Sequence, residues 1–279
     1  MREMKVRWVL FLLVSGMFLG TGCAQKPYGE TVTGPDPETD PPGSVRVMAY
    51  NIHHAGGMDG VVDIERIANV IRESGADIVA LQEVDVMVGR SGHIHQVREL
   101  ARLTGLEHTA FGANIDLDEG WYGTATLSRF PILEEKNTHF EQIGPEQRGV
   151  LETLLDVNGE ELLFLNTHLD HRGEDDRERI LYVNEAREKI LPRYSAERVL
   201  FAGDFNTRPD SEAYRLVTEY MTDSWVEIGK GEGNTIPSND PNRRIDYIFY
   251  QGDLRPVHAW VPRTTASDHL PVAAIFELH

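Results

Sequence analysis

Val199-Leu-Phe-Ala-Gly-Asp-Phe-Asn206 decides how this chain folds. Its first four residues form a short, continuously apolar run, the signature of a strand buried on both faces, and the run then delivers Asp204 and Asn206. Leu162-Leu-Phe-Leu165 does the same upstream and ends in Asn166-Thr167-His168. Between the two, an acidic-to-basic segment from about Glu174 to Ile190, stopped before Pro192, predicts a helix. Its Glu174-Asp-Asp176 start suits the positive end of a helix dipole.

The same layout occurs nearer the N-terminus. Val45-Arg-Val-Met-Ala-Tyr-Asn-Ile52 is a β-type run containing Asn51, and Asp63 caps a helix whose apolar face is Ile64, Ile67, Ala68 and Ile71. Gly75 stops that helix, and the apolar strand Ile78-Val-Ala-Leu81 ends in Gln82-Glu83. There is no strict sequence repeat. Further β-type runs at 123–127, 150–157, 245–250 and 272–278 extend the sheets. With so many strands and few helices, two stacked mixed sheets with helices outside fit better than one doubly wound sheet. The buried strands each end in a polar side chain, at the carboxyl edge where open α/β sheets place their sites.

Composition narrows the class. In 279 residues, 41% hydrophobic and 26% charged, there is enough core material for one globular domain and too much for a disordered chain. No apolar run long enough to cross a membrane lies beyond the first twenty residues, which excludes a polytopic membrane protein. The 27 basic and 45 acidic residues give −18, which counts against a general duplex binder, because phosphates need a basic face. The single cysteine excludes an intramolecular disulfide framework and a cysteine-rich zinc module.

Residues 1–22 read as a targeting segment, with Arg2, Lys5 and Arg7, then the apolar Trp8 to Leu19, then Gly20-Thr21-Gly22. Cys23 follows directly. The pattern resembles a bacterial lipoprotein signal, departing from it in that Leu19 lies four places before Cys23 instead of three. It implies an acylated Cys23, a membrane anchor and a place in the bacterial cell envelope facing periplasm or exterior. Loss of residues 1–22 leaves 24 basic against 44 acidic residues, or −20. Residues 23–43, rich in Pro, Gly and Thr, read as a lipidated Cys followed by a flexible tether, and 44–279 as the domain.

The polar strand ends in order are Asn51, Glu83, His168, Asp204 with Asn206, Asp246, and Ser267-Asp268-His269. Carboxylates, amides and imidazoles without a thiol make a hard, oxygen-rich set that favours Mg²⁺ or Mn²⁺ over zinc, with Glu83 and Asp268 able to hold the ion. Such an ion polarises a phosphoryl oxygen while an Asp/His pair activates water. Tyr-Asn51-Ile, Leu-Gln-Glu83-Val, Asn-Thr-His168-Leu, Gly203-Asp-Phe-Asn206, Arg244-Ile-Asp246-Tyr and Ser267-Asp-His-Leu-Pro271 resemble, in order, the motifs of the endonuclease/exonuclease/phosphatase superfamily with the DNase I-like fold. The resemblance spans residues 45–277. It implies a four-layer αββα sandwich and a Mg²⁺- or Mn²⁺-dependent phosphoric ester hydrolase. It implies Glu83 as principal metal ligand with Asn51 and Asp268 nearby. His269, oriented by Asp246, would be general base or phosphate partner, Asp204 would align the water, and Asn206 and His168 would bond phosphate oxygens. The base is open between Asp204 and the His269/Asp246 pair. Arg148 and Tyr122 are further candidates for substrate contact.

Departures narrow the reading. Apurinic-site nucleases of the superfamily carry Asp where this chain has His53 and lack the histidine found here at 168. The segments 122–131, 146–149 and 167–171 resemble instead a bacterial subgroup of metal-dependent hydrolases. Candidate basic-rim arginines, such as Arg90, Arg98, Arg172 and Arg243, are scattered, so a small or lipid-linked phosphoester is the expected substrate, a DNase-like activity the alternative, and a non-catalytic anchored binding protein the remote one. A monomer is expected. Three look-alikes are set aside. Gly92-His-Ile-His95 lacks the companion motifs of calcineurin-type phosphatases. Adjacent Ser267-Asp268-His269 cannot relay a proton. His53-His54 with His168-x-x-His171 lacks the Cys or helical His-Glu-x-x-His of zinc sites, so His53 or His171 is expected to line the cleft.

Overall fold

The computed structural model describes residues 34–172 and 176–279. Among these residues, twelve strands form two six-stranded sheets. In chain order they are β1 Val45–Asn51, β2 Ile78–Val86, β3 His108–Leu117, β4 Gly120–Ser128, β5 Ile132–His139, β6 Gly149–Val157, β7 Glu160–His168, β8 Arg198–Asp204, β9 Thr222–Asp223, β10 Asp246–Gly252, β11 Leu254–Trp260 and β12 Val272–Leu278. The helices are α1 Ile64–Ser74, α2 Gln96–Thr104, α3 Arg177–Glu185, α4 Glu212–Thr218 and α5 Ser224–Ile228. One sheet has the order β11-β12-β1-β2-β4-β3 and the other β5-β6-β7-β8-β10-β9.

Each sheet is built around one parallel pair. β1 and β2 are joined through α1, and β7 and β8 through α3. The other neighbours are antiparallel, so the carboxyl ends of a parallel pair meet the amino ends of β10 and β12 at one edge. The expected recurring layout is therefore two crossover units.

Strand alternation partitions the core into three layers. Val45, Val47 and Ala49 face Phe164, Leu200 and Ala202 between the sheets. Met48 and Tyr50 turn the other way onto Ile67, Ala68 and Ile71 of α1. Leu163, Leu165 and Phe201 pack on Tyr182 and Val183 of α3. Helix, sheet, sheet, helix is the expected αββα order. Asp63 caps α1 by accepting from the Glu65 and Arg66 amides, and Gly75 ends it in the left-handed region at φ 67°.

Several details differ from the sequence reading. Residues 1–33, and with them Cys23, the leader and most of the tether, lie outside the described residues. The end of the segment read as tether packs on the domain, so the boundary lies before Ser44. The Arg46 guanidinium, buried on β1, needs partners and takes them from Asp40 (2.6 Å), the Pro35 carbonyl (2.7 Å) and the Ser74 carbonyl (2.9 Å). The helix expected from Glu174 is described only from Arg177, and it passes into a π-helical turn at Ala186–Ile190. Asp176 makes no bond to the first amides of that helix. It accepts instead from Arg179 Nε (2.8 Å) and the Glu212 amide (3.2 Å), tying α3 to α4.

Candidate active site

The edge where the strand ends meet gathers side chains from both sheets. A bulge between Leu81 and Val84 breaks the β2 ladder, and Glu83 sits in it at φ 58°. Asn206, just past β8, is also left-handed at φ 49°. Strained non-glycine backbone of this kind persists where surrounding structure over-determines it, most often at functional sites. Gly203 is required by space: a Cβ there would stand 2.0 Å from the Thr167 carbonyl oxygen on the parallel neighbour β7.

Asn51 bridges the two sheets. Its Nδ2 donates to Glu83 Oε1 (3.1 Å) and to Asp204 Oδ2 (3.0 Å), while its Oδ1 accepts from the His53 amide (3.1 Å). In this arrangement Asn51, expected as a metal ligand, presents nitrogen to both carboxylates and positions Glu83. Asp204 Oδ1 accepts from the Asn206 amide (2.9 Å), and its Oδ2 lies 3.6 Å from His168 Nε2 and 3.7 Å from His269 Nε2. His269 Nδ1 is 2.9 Å from Asp246 Oδ2, which also accepts from Thr235 Oγ1 (2.5 Å). Expected residues His168, Asp204, Asn206, Asp246 and His269 thus come together, and all but Asn206 are buried. Asp268 stands apart, its side chain 40% exposed and 4.0 Å from His53.

Burial and charge push these groups in opposite directions. For Asp204, burial first and repulsion from Asp246 second raise the carboxyl to about 7, against the pull of His269, Asn51 and the Asn206 amide. For His269, burial alone would discharge the ring, but Asp246 and then Asp204 outweigh it and the imidazole is pushed up to about 10. His168 goes the other way, held well below its ordinary value by burial and by Arg148, and is a neutral ring. A carboxylate poised near neutrality beside an imidazolium is an acid–base pair with its members driven apart.

A cleft of about 310 Å³ opens beside this cluster, lined by Glu83, Arg90, Tyr122, Arg148, His168 and His171 among others. Arg148 is 2% exposed and bonds Glu146 (2.7 Å) and His171 Nδ1 (3.4 Å), leaving its Nε without a partner among the described residues. Tyr122 is held protonated by burial and by Glu83, with the Arg90 guanidinium 5.3 Å over its ring. The two substrate candidates therefore line the same cleft.

Among the described residues, two groups of donors lie close enough to share an ion: His53, His54 and Glu83, and Asp204, Asp246 and His269. The second already satisfies itself through the Asp246–His269 pair. In the first, His54 is pushed down to about 4 by burial, with Arg90 and His53 adding to it, so it is a neutral ring. The four histidines of the zinc look-alike do not converge, since His168 meets Asp204 and His171 meets Arg148. Ser267 Oγ donates to the Asn51 carbonyl (2.7 Å) and accepts from the His269 amide (3.2 Å), a structural tie with no role as nucleophile. His93 and His95 are equally local: the first bonds the Met87 carbonyl and the second caps α2. Sequence reasoning missed Thr235, whose loop carries no motif.

Comparison with known proteins gives the family and the fold. YbhP of Escherichia coli K12, an uncharacterized protein, is 28% identical over 253 residues, covering 85% of this chain and 96% of that protein. A 5'-tyrosyl-DNA phosphodiesterase of Caenorhabditis elegans is 27% identical over 230 residues, which are 76% of this chain and 59% of that one. The solved structure of a mannosyl-6-phosphatase from Bacteroides thetaiotaomicron superposes with a TM-score of 0.70 at 20% identity, over 83% of this chain and 99% of that one, a likeness of fold. A family model matches residues 48–269, from within β1 to His269, and the chain belongs to the Endonuclease/Exonuclease/phosphatase family, whose members hydrolyse phosphoesters.

Proposed function

We propose that the chain is a metal-dependent phosphoesterase acting on a small or lipid-linked phosphoester. The observation that carries this is the buried trio Asp204, His269 and Asp246, in which a carboxylate raised to about 7 faces a protonated imidazole. Asp204 Oδ2 takes the proton of the attacking water, held in line by Asn51. His269 Nε2–H donates to a phosphoryl oxygen, and Asp246 keeps the ring charged through the 2.9 Å contact at Nδ1. Asn206 Nδ2 gives one hydrogen to the Leu169 carbonyl (3.1 Å) and has a second for phosphate, and His168 lies beside it as a neutral donor or acceptor. Glu83, backed by Asn51, would hold the Mg²⁺ or Mn²⁺, which when bound supplies positive charge for the phosphoryl and leaving oxygens.

Substrate size follows from charge and space. The cleft is compact, its arginines are already paired with Asp85 and Glu146, and the chain carries −18. A long polyanion would have to offset that charge, whereas a small head group uses the cation and Arg148. Acylation of Cys23 would place the domain at a membrane of the cell envelope, near such substrates, as a monomer. The relative named for tyrosyl-DNA favours a second reading, cleavage of a nucleic-acid phosphodiester.

The test is a panel of a chromogenic phosphodiester, a phosphomonoester, a lipid phosphoester and a nicked-plasmid assay, with the full chain and Mg²⁺ or Mn²⁺. Metal-dependent turnover of a small ester, lost in Glu83→Gln, is expected. Equal rates for wild type and Glu83→Gln would sink the proposal. Plasmid nicking that falls steeply with salt would move it to the nuclease reading.

A further inference from the structure

Resting on the reading of Glu83 as the metal-holding residue, we infer that His53 and His54 complete its set, so that the site takes a first-row transition dication in preference to Mg²⁺. The backbone is the first support. His53 (φ 45°), His54 (φ 45°) and Ala55 (φ 65°) are three consecutive non-glycine residues in the left-handed region. Each costs roughly 1–2 kcal/mol. The turn is pinned by Ala55 N to the Ile52 carbonyl (2.8 Å), Gly56 N to the His53 carbonyl (2.6 Å) and Asp63 N to the Ala55 carbonyl (2.9 Å). Gln96 adds a side-chain clamp. Its Nε2 donates to the His54 carbonyl (2.8 Å) and its Oε1 accepts from the Asp85 amide (2.9 Å), fixing the turn to the strand that carries Glu83.

What this turn achieves is a juxtaposition that regular structure forbids. Neighbouring side chains point to opposite faces of a strand and diverge on a helix. Here the two rings meet edge to face with centroids 4.4 Å apart, and a donor from each lies within 4.8 Å of the other and of a Glu83 oxygen. Opposed ligands of a bound ion stand about 4.2 Å apart, so a small inward movement closes the set. His53 Nδ1 is 3.1 Å from the Gly56 carbonyl, which assigns the hydrogen to Nδ1 and leaves the lone pair on Nε2, the usual outer-shell support of a ligating imidazole. His54 Nδ1 is buried with no hydrogen-bond partner among the described residues. An ion pair with Asp268 does not account for His53, since the two are 4.0 Å apart with both side chains about two-fifths exposed. Two imidazoles and one carboxylate suit transition dications, while Mg²⁺ prefers an all-oxygen shell.

The experiment uses the full chain with Mn²⁺ or Mg²⁺ alone. Pulsed electron paramagnetic resonance of the Mn²⁺-loaded protein is expected to show ¹⁴N couplings, and calorimetry to give Mn²⁺ at least tenfold tighter than Mg²⁺. His53→Gln/His54→Gln, checked for folding by circular dichroism, should lose the couplings and the tenfold preference. Absence of nitrogen coupling in wild type, which needs no variant, or its persistence in the double variant, overturns the inference. If wild type shows no nitrogen coupling while Glu83→Gln abolishes binding of both ions, this inference fails and the hydrolase reading stands. If Glu83→Gln still binds metal and turns over substrate at the wild-type rate, the reading of Glu83 as the metal-holding residue fails as well.

Discussion

Replacing Asp246 by Asn removes a charge and little else, because the amide oxygen can still accept from His269 Nδ1 and Thr235 Oγ1. In the wild type, Asp246 is the strongest influence holding His269 protonated against burial, and the ring is pushed up to about 10. At pH 8 about 99% of it then carries a proton. Without Asp246, burial dominates, and Asp204, 3.7 Å from Nε2, and then Asp268 still favour the charge. A ring at or below the ordinary value near 6.5 is about 3% protonated at pH 8, so kcat/KM there should fall at least about 30-fold. The deficit should shrink below pH 6, where the ring regains its proton. Asp204 also loses the repulsion that helps raise it to about 7, so the acidic limb moves down as well. The assay is kcat/KM for a chromogenic phosphodiester from pH 5 to 11, with the His269 ring followed by NMR. Wild type should give a bell with limbs near 7 and 10, and the variant a lower bell displaced to acid. A loss of equal size at every pH, or an alkaline limb still near 10, would refute the assignment of His269 as the protonated donor to phosphate.

Three further outcomes follow. Asn166→Ala should destabilise the fold by about 2–4 kcal/mol in urea titrations, because Asn166 Nδ2 donates to the Leu81 and Ala125 carbonyls and its Oδ1 accepts from Gln82 Nε2, all buried between the sheets. In metal-free protein the stability that His269 contributes is complete below pH 6.5, its unfolded value, and is lost as pH rises through about 10. The urea-midpoint difference between wild type and His269→Gln should therefore narrow from pH 6 to 10.5, and a constant difference would contradict it. Arg148→Met should raise KM by roughly tenfold or more with a smaller change in kcat, the loss of one charged hydrogen bond to substrate.

Much of the centre of the molecule was legible because buried strands announce themselves. β2, β7 and β8 each carry a continuous apolar run and β1 one interrupted only by Arg46, and the residues at which each turns polar are those that meet at the edge. The periphery was not. β5 is exposed along most of its length at the rim of its sheet, so Ile132–His139 carries no apolar alternation. β3 mixes burial along its length, and β9 has two residues. The site divides along the same line. Asp204, Asp246 and His269 lie at or just before regular strand ends and were found, whereas the gathering of His53 and His54 at Glu83 depends on a left-handed turn that no spacing rule encodes. The tether boundary was misplaced because the partners of Arg46 are a carbonyl and a carboxylate in an otherwise unremarkable Pro-rich stretch.

The way the site is divided between the sheets separates two events usually taken as one. His53, His54 and Glu83 all belong to the β1–β2 half, while Asp204 and Asp246 belong to the β8–β10 half. The contacts that unite them, Asn51 to Asp204 and His269 to Asp246, both cross from one half to the other. On the roles proposed for these residues, cation capture would be a property of one sheet and proton transfer a property of the docked pair. A chain with a single sheet assembled could hold an ion and remain chemically silent, and any slippage of one sheet over the other would register first as lost turnover, with the ion still in place.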